Sequence, residues 1–276
     1  RRKEQKAHKE KHWQMKAEKE TGTGGDTITE SIRMLRSKSQ YMKNIEKTKP
    51  GELILQVTSS GPAEGKSFIS INMALSLASI GKKTLLIGAD LRKPTLARYM
   101  GVSRNLPGLS DYLSGNIGNV HEIIIPHKEV ESLDIMPAGP VPFNPSELLS
   151  SPLLEKTLDE LRSEYDYIII DSAPFLVVAD SFMISKSADS LLYVVRSGFT
   201  KLAVLETLQN MYSEGSFRSV MIILNSVNFK KNAFFGGGRL GHGYGYGYGY
   251  GYGYGHGAGY GYVSDGKSKK RKRREE

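Results

Sequence analysis

From Thr27 to about Phe229 the chain alternates short, continuous apolar runs with longer amphipathic segments. The runs are LILQVTS (53–59), TLLIGA (84–89), LDIMPA (133–138), YIIID (167–171), LLYVV (191–195) and VMIILN (220–225). Apolar runs without polar alternation suit strands covered on both faces. Their alternation with helix-length segments predicts an α/β fold, a mostly parallel sheet flanked by helices. The pattern stops at both ends. Residues 1–25 are charged, carry no apolar stripe and finish in TGTGGD, the composition of a linker. Beyond Lys231, the stretch NAFFGGGRLGHG leads into a glycine–tyrosine repeat that lacks the branched residues a packed core needs. The expected organisation is a basic linker or juxtamembrane segment at 1–25, a folded α/β domain at 26–232, and a disordered Gly/Tyr-rich tail with a basic end at 233–276.

Composition changes this picture little: 39% hydrophobic and 24% charged residues are ordinary for a globular protein, and its size allows a sizeable core. The absence of cysteine excludes disulfides and thiolate metal sites. No run of apolar residues is long enough to span a bilayer and the first residues are too polar for a signal peptide, so the chain reads as soluble. Charge matters more through its placement. The formal +9 resides entirely in residues 1–20 and 267–276, and the body between them is neutral, with 23 basic and 23 acidic side chains. A neutral body argues against nucleic acid as a partner. Basic ends fit an anionic membrane surface, where each Lys or Arg contributes about 1 kcal/mol, or act as solubilising tails.

The chemistry centres on VTSSGPAEGKSFISINMALSLASIG (57–81). A strand enters a turn and then a helix that begins with Gly65, Lys66 and Ser67, the setting of a phosphate-binding loop. Backbone amides of residues 61–67 and the helix N-terminus are expected to face phosphates, Lys66 to neutralise their outer oxygens, and Ser67 to hold Mg²⁺. The nucleotide set is therefore Gly61, Pro62, Ala63, Glu64, Gly65, Lys66, Ser67 and Phe68. Ser60 stands where the common pattern has glycine, so the loop is a variant. Carboxylates for the metal belong at neighbouring strand ends, and Asp90 after TLLIGA and Asp171 at the end of YIIID fit. Arg92, Lys93 and Arg98 follow the first of these and are candidates for contact with a phosphate or substrate tail, or simply solvated. The histidines show no metal spacing. Trp13, in a polar segment, fits a membrane interface or a partner contact.

Several motifs, in order, resemble the bacterial tyrosine kinases of capsular and exopolysaccharide export. SGPAEGKS resembles that family's variant Walker A loop, LLIGADLRKP its Walker A′ motif and YDYIIIDSAP its Walker B strand. AGPVPFNPSELLSS (138–151) resembles a further family segment, and the tail its autophosphorylated tyrosine cluster. The resemblance implies ATP and Mg²⁺ as cofactors, Lys66, Asp90 and Asp171 as catalytic residues, and Ser67, Asp90 and Asp171 around the metal. It places Asn225 near the adenine base. It implies Tyr244, Tyr246, Tyr248, Tyr250, Tyr252, Tyr254, Tyr260 and Tyr262 as phosphoacceptors. ESIRMLR supplies Glu30, Arg33 and Arg36, which in the family close a ring of subunits. Implied partners are further copies of the chain, a transmembrane activator or a membrane domain outside this chain, and a cognate tyrosine phosphatase, at the cytoplasmic side of the inner membrane. One departure stands out: the first Walker A′ aspartate of the family is here Gly88. A partitioning-type ATPase switch, or a nucleotide-binding scaffold of weak activity, stays open at this point.

Overall fold

The computed structural model of the chain describes residues 27–45, 53–103, 106–178 and 180–227. The apolar runs form strands β1 (Leu53–Ser59), β2 (Thr84–Gly88), β4 (Leu133–Met136), β5 (Tyr167–Asp171), β6 (Ser190–Arg196) and β7 (Val220–Asn225), and a two-residue β3 (Ile125–Pro126) precedes β4. All lie in one sheet, ordered β3-β4-β2-β5-β1-β6-β7. Every pairing is parallel except β3 with β4. The intervening helices are α1 (Thr27–Ile45), α2 (Lys66–Ala78), α3 (Leu96–Tyr99), α4 (Leu109–Leu113), α5 (Pro145–Leu149), α6 (Pro152–Arg162), α7 (Asp180–Ser185) and α8 (Ala203–Ser213).

Side chains of the central strands are buried on both faces, which is why the runs lack polar alternation. Leu53, Leu55 and Val57 of β1 with Tyr167 and Ile169 of β5 point one way, onto Ile32 and Leu35 of α1 and Ile69, Met73 and Leu77 of α2. Ile54, Ile168 and Ile170 point the other way, onto α4, α5 and Leu154, Leu158 and Leu161 of α6. A smaller cluster gathers Phe175, Leu191, Tyr193, Leu208 and Phe217 beneath α8. In α6 the apolar spacing and Pro152 in the first turn, whose missing N–H would have no intrahelical partner, define both the buried face and the start.

Position in the sheet decides position in the site. β2, β5 and β1 are neighbours, and Gly88, Asp171 and Val57 stand side by side at their carboxyl ends. In an open parallel sheet this edge is where ligands bind.

Candidate active site

The loop from Ser60 to Gly65 joins β1 to α2 through two left-handed residues, Ala63 (φ 64°) and Gly65 (φ 104°). Gly65 has no room for a side chain: a Cβ there would lie 2.1 Å from the Asn225 amide nitrogen. Lys66 opens α2 and is largely buried at the edge of a groove of about 2100 Å³ that also borders Pro62, Ala63, Ser67 and Asp90.

Ser67 and Asp171 meet. The Ser67 hydroxyl donates to Asp171 Oδ2 at 2.7 Å, and Ser70 donates to Oδ1 at 3.1 Å. Burial, at 3% exposure, lifts the Asp171 carboxyl to about 6, against the opposing pull of Ser67, of Lys66 and of Ser70, while Asp90 adds to the rise. Asp90 borders the same groove and accepts the Lys93 amide at 3.0 Å. Thr95, which sequence reasoning missed, brings its hydroxyl to 3.4 Å from that of Ser67. Among the described residues no three acidic or histidine side chains cluster to hold a metal alone. One hydroxyl and two carboxylates at a phosphate loop fit Mg²⁺, which keeps waters and takes phosphate oxygens for its remaining positions.

The loop is braced from β6 and β7. Glu64 is buried and accepts hydrogen bonds from Ser60 at 2.6 Å, from the Gly61 amide at 2.7 Å and from Thr200. Burial alone would raise its pKa, yet these bonds hold the carboxyl below its ordinary value. Arg196 donates to the Ala63 carbonyl at 2.8 Å, and Asn225 to the Glu64 carbonyl at 2.9 Å. Of the loop amides expected to face a phosphate, that of Gly61 donates here to Glu64. Asn225 stands beside the loop, with its amide group engaged there. Phe68 borders the groove.

Arg92 forks onto buried Asp180 at 2.7 and 3.2 Å and reaches Ser146 at 2.8 Å, tying the segment after β2 to α5 and α7. Glu30 and Arg33 pair with each other at 3.5 Å, each about half exposed. Arg36 instead donates to the Ser76 carbonyl at 2.9 Å and docks α1 on α2, so within one chain the three do not act as a set. The tyrosines from Tyr244 to Tyr262 lie outside the described residues.

A family profile described as an AAA domain matches residues 57–215. Tyrosine-protein kinase CpsD of Streptococcus agalactiae serotype III (strain NEM316) is 33% identical over 207 residues, spanning 74% of this chain and 88% of its own. The chain belongs to the bacterial tyrosine kinases. This kinase is also 37% identical over 188 residues to the putative tyrosine-protein kinase EpsB of Ralstonia solanacearum, covering 67% of the chain and 24% of EpsB. The kinase domain of Escherichia coli tyrosine kinase ETK superposes with a TM-score of 0.67 at 28% identity, over 81% of this kinase and 82% of that chain. The VpsO kinase domain does so with a TM-score of 0.63 at 35% identity, over 73% and 95%. The cell-division ATPase MinD of Pyrococcus furiosus, at 21% identity and a TM-score of 0.55, shares the fold alone, over 63% of this kinase and 71% of that chain.

Proposed function

We propose that this kinase transfers the γ-phosphoryl group of ATP to tyrosines of its own tail, between subunits of a ring, and thereby regulates polysaccharide polymerisation or export. The observation that carries the reading is the junction of Ser67, buried Asp171 and Lys66 beside the groove that Lys66, Ser67 and Asp90 border. Lys66 balances charge on the transferred group, and the brace through Glu64, Thr200 and Asn225 keeps the loop in shape before nucleotide arrives. Mg²⁺, held by Ser67 with Asp171 and Asp90, would offset the charge that develops between the β and γ phosphates. The acceptor phenol oxygen bonds to the γ-phosphorus as the bond to the bridging oxygen breaks. ADP leaves, and the phenolic proton passes to Asp90 or to water.

Gly88 removes a carboxylate that could assist that proton, and a phenol with a pKa of ~10 benefits from assistance. Slow turnover follows. The switch reading is weaker here, because it gives the Gly-Tyr repeat of 244–262 no role. The basic residues 1–20 and 267–276 support a place at the cytoplasmic side of a membrane, with a membrane activator or a membrane domain outside this chain as partner. Among the described residues no helix is long and apolar enough to cross a membrane. The test mixes wild type with isotopically heavy Asp171→Asn chains and ATP. Base-stable phosphotyrosine is expected in residues 244–262 of the heavy chains. Its absence there, with modification of the light tails alone, would refute transfer between subunits.

A further inference from the structure

A second cavity, of about 260 Å³, adjoins the groove. Leu96, Ala97, Pro137 and Ala138 wall it, Gly88 and Asp171 lie at its inner end, and Asp90 and Thr95 border both spaces. Its size is below the ~300–1,000 Å³ of sites for drug-sized ligands and suits a single side chain. Ala97 and Gly139, both partly exposed, mark the outer side. The passage therefore runs from the surface to the carboxylates and the Ser67–Thr95 hydroxyl pair.

Gly88 bears directly on this space. A Cβ at that position would lie 3.2 Å from Leu96 Cδ2 and 3.3 Å from the Ala138 amide nitrogen. A carboxylate built from there would have to displace Leu96 and would take up the inner end of the cavity. The glycine at position 88 and the open cavity are thus one feature.

The lining selects its occupant. Walls of mixed character, with two proline rings, Pro94 and Pro137, and Leu96 beside Thr95 and Ser103, suit a flat ring with a polar end, and the carboxylates at the inner end repel an anion while accepting from an O–H. A serine or threonine side chain would leave the space between the proline rings empty. We propose that this cavity seats the acceptor side chain as a neutral phenol, with its ring between Leu96, Ala97, Pro137 and Ala138 and its hydroxyl at Asp90 and Thr95. The inference rests on the tyrosine-kinase reading and adds to it where the ring sits and what Gly88 is for.

The test measures binding, so it does not depend on turnover. A fluorescent (Gly-Tyr)₃ peptide is titrated into the full chain with a non-hydrolysable ATP analogue, in wild type and in Ala97→Phe, which fills the cavity from a partly exposed helical position. Peptide affinity is expected to fall tenfold or more in Ala97→Phe, with analogue affinity retained as the check on folding. In wild type alone, unlabelled (Gly-Phe)₃ is expected to compete and (Gly-Leu)₃ to compete at least tenfold less well. Equal peptide affinity in the folded variant, equal competition by the two peptides, or no peptide binding to wild type would overturn the assignment. Failure of the kinase reading shows differently, as peptide that binds yet acquires no phosphate when ATP and Mg²⁺ replace the analogue.

Discussion

Asp171 sets two requirements against each other: a cation at the loop needs its carboxylate, yet burial raises its pKa from 3.8 to about 6. Because the folded value exceeds the unfolded one, ionisation is harder in the folded state. The nucleotide-free protein therefore loses stability as pH rises from about 4 to 6, and the loss is constant above that window. Asp171→Asn removes it. The variant should be more stable than wild type at pH 7.5 by up to about 3 kcal/mol and gain nothing at pH 4, while losing phosphotransfer. Equal melting shifts at both pH values would contradict the buried-carboxylate argument. Gly65→Ala should lower nucleotide affinity at least tenfold, because a Cβ meets Asn225 and φ is 104°. Adding Asn225→Ala should restore part of that loss, a coupling that a double-mutant cycle measures. Lys66, Ser67, Asp90 and Asp171 were legible in the sequence because phosphate chemistry demands those residue types at strand and helix ends. Thr95, Thr200 and Arg196 were not, since only tertiary folding brings residues 28, 136 and 133 positions apart into contact.

Among the elements, the central strands were the most legible, because burial on both faces writes an unbroken apolar run. The short β3 was not, as two residues, one of them proline, hold no periodic signal. The helix bearing Glu30, Arg33 and Arg36 was read for its charges, and the structure adds that Arg36 serves packing against α2. The opposite edge of the sheet holds a further ionic junction. Asp189, at 3% side-chain exposure, accepts the Ile54 amide at 2.8 Å and Arg162 at 2.6 Å, fastening α6 and the start of β6 to β1. Asp189→Ala leaves Arg162 and the Ile54 N–H without that partner. We expect a loss of about 3–5 kcal/mol in chemical denaturation, with nucleotide affinity little changed in the folded fraction. A loss below about 1 kcal/mol would mean that water replaces the carboxylate.

At the scale of the whole molecule, the net charge and the Gly-Tyr repeat lie in sequence outside the stretch that holds the phosphate loop and its carboxylates. The body is neutral, residues 267–276 carry a net +5, and the eight tyrosines of 244–262 directly precede them. Each phosphate adds about −1.5 to −2 charge, so three or four would outweigh that basic end. Binding of wild-type chain to anionic vesicles should therefore weaken progressively with phosphorylation, and sedimentation with such vesicles would show it; unchanged binding would uncouple the tail from a membrane surface. The buried phenols of Tyr165, Tyr167 and Tyr193 belong to the core and cannot serve as acceptors without unfolding. The most direct measurement is tandem mass spectrometry of full-length wild type and Asp171→Asn after incubation with ATP and Mg²⁺. Phosphate is expected on tyrosines between 244 and 262 of wild type and on none of the variant. An unmodified tail in wild type that binds ATP, or equal modification of both proteins, would contradict transfer from this site to that tail.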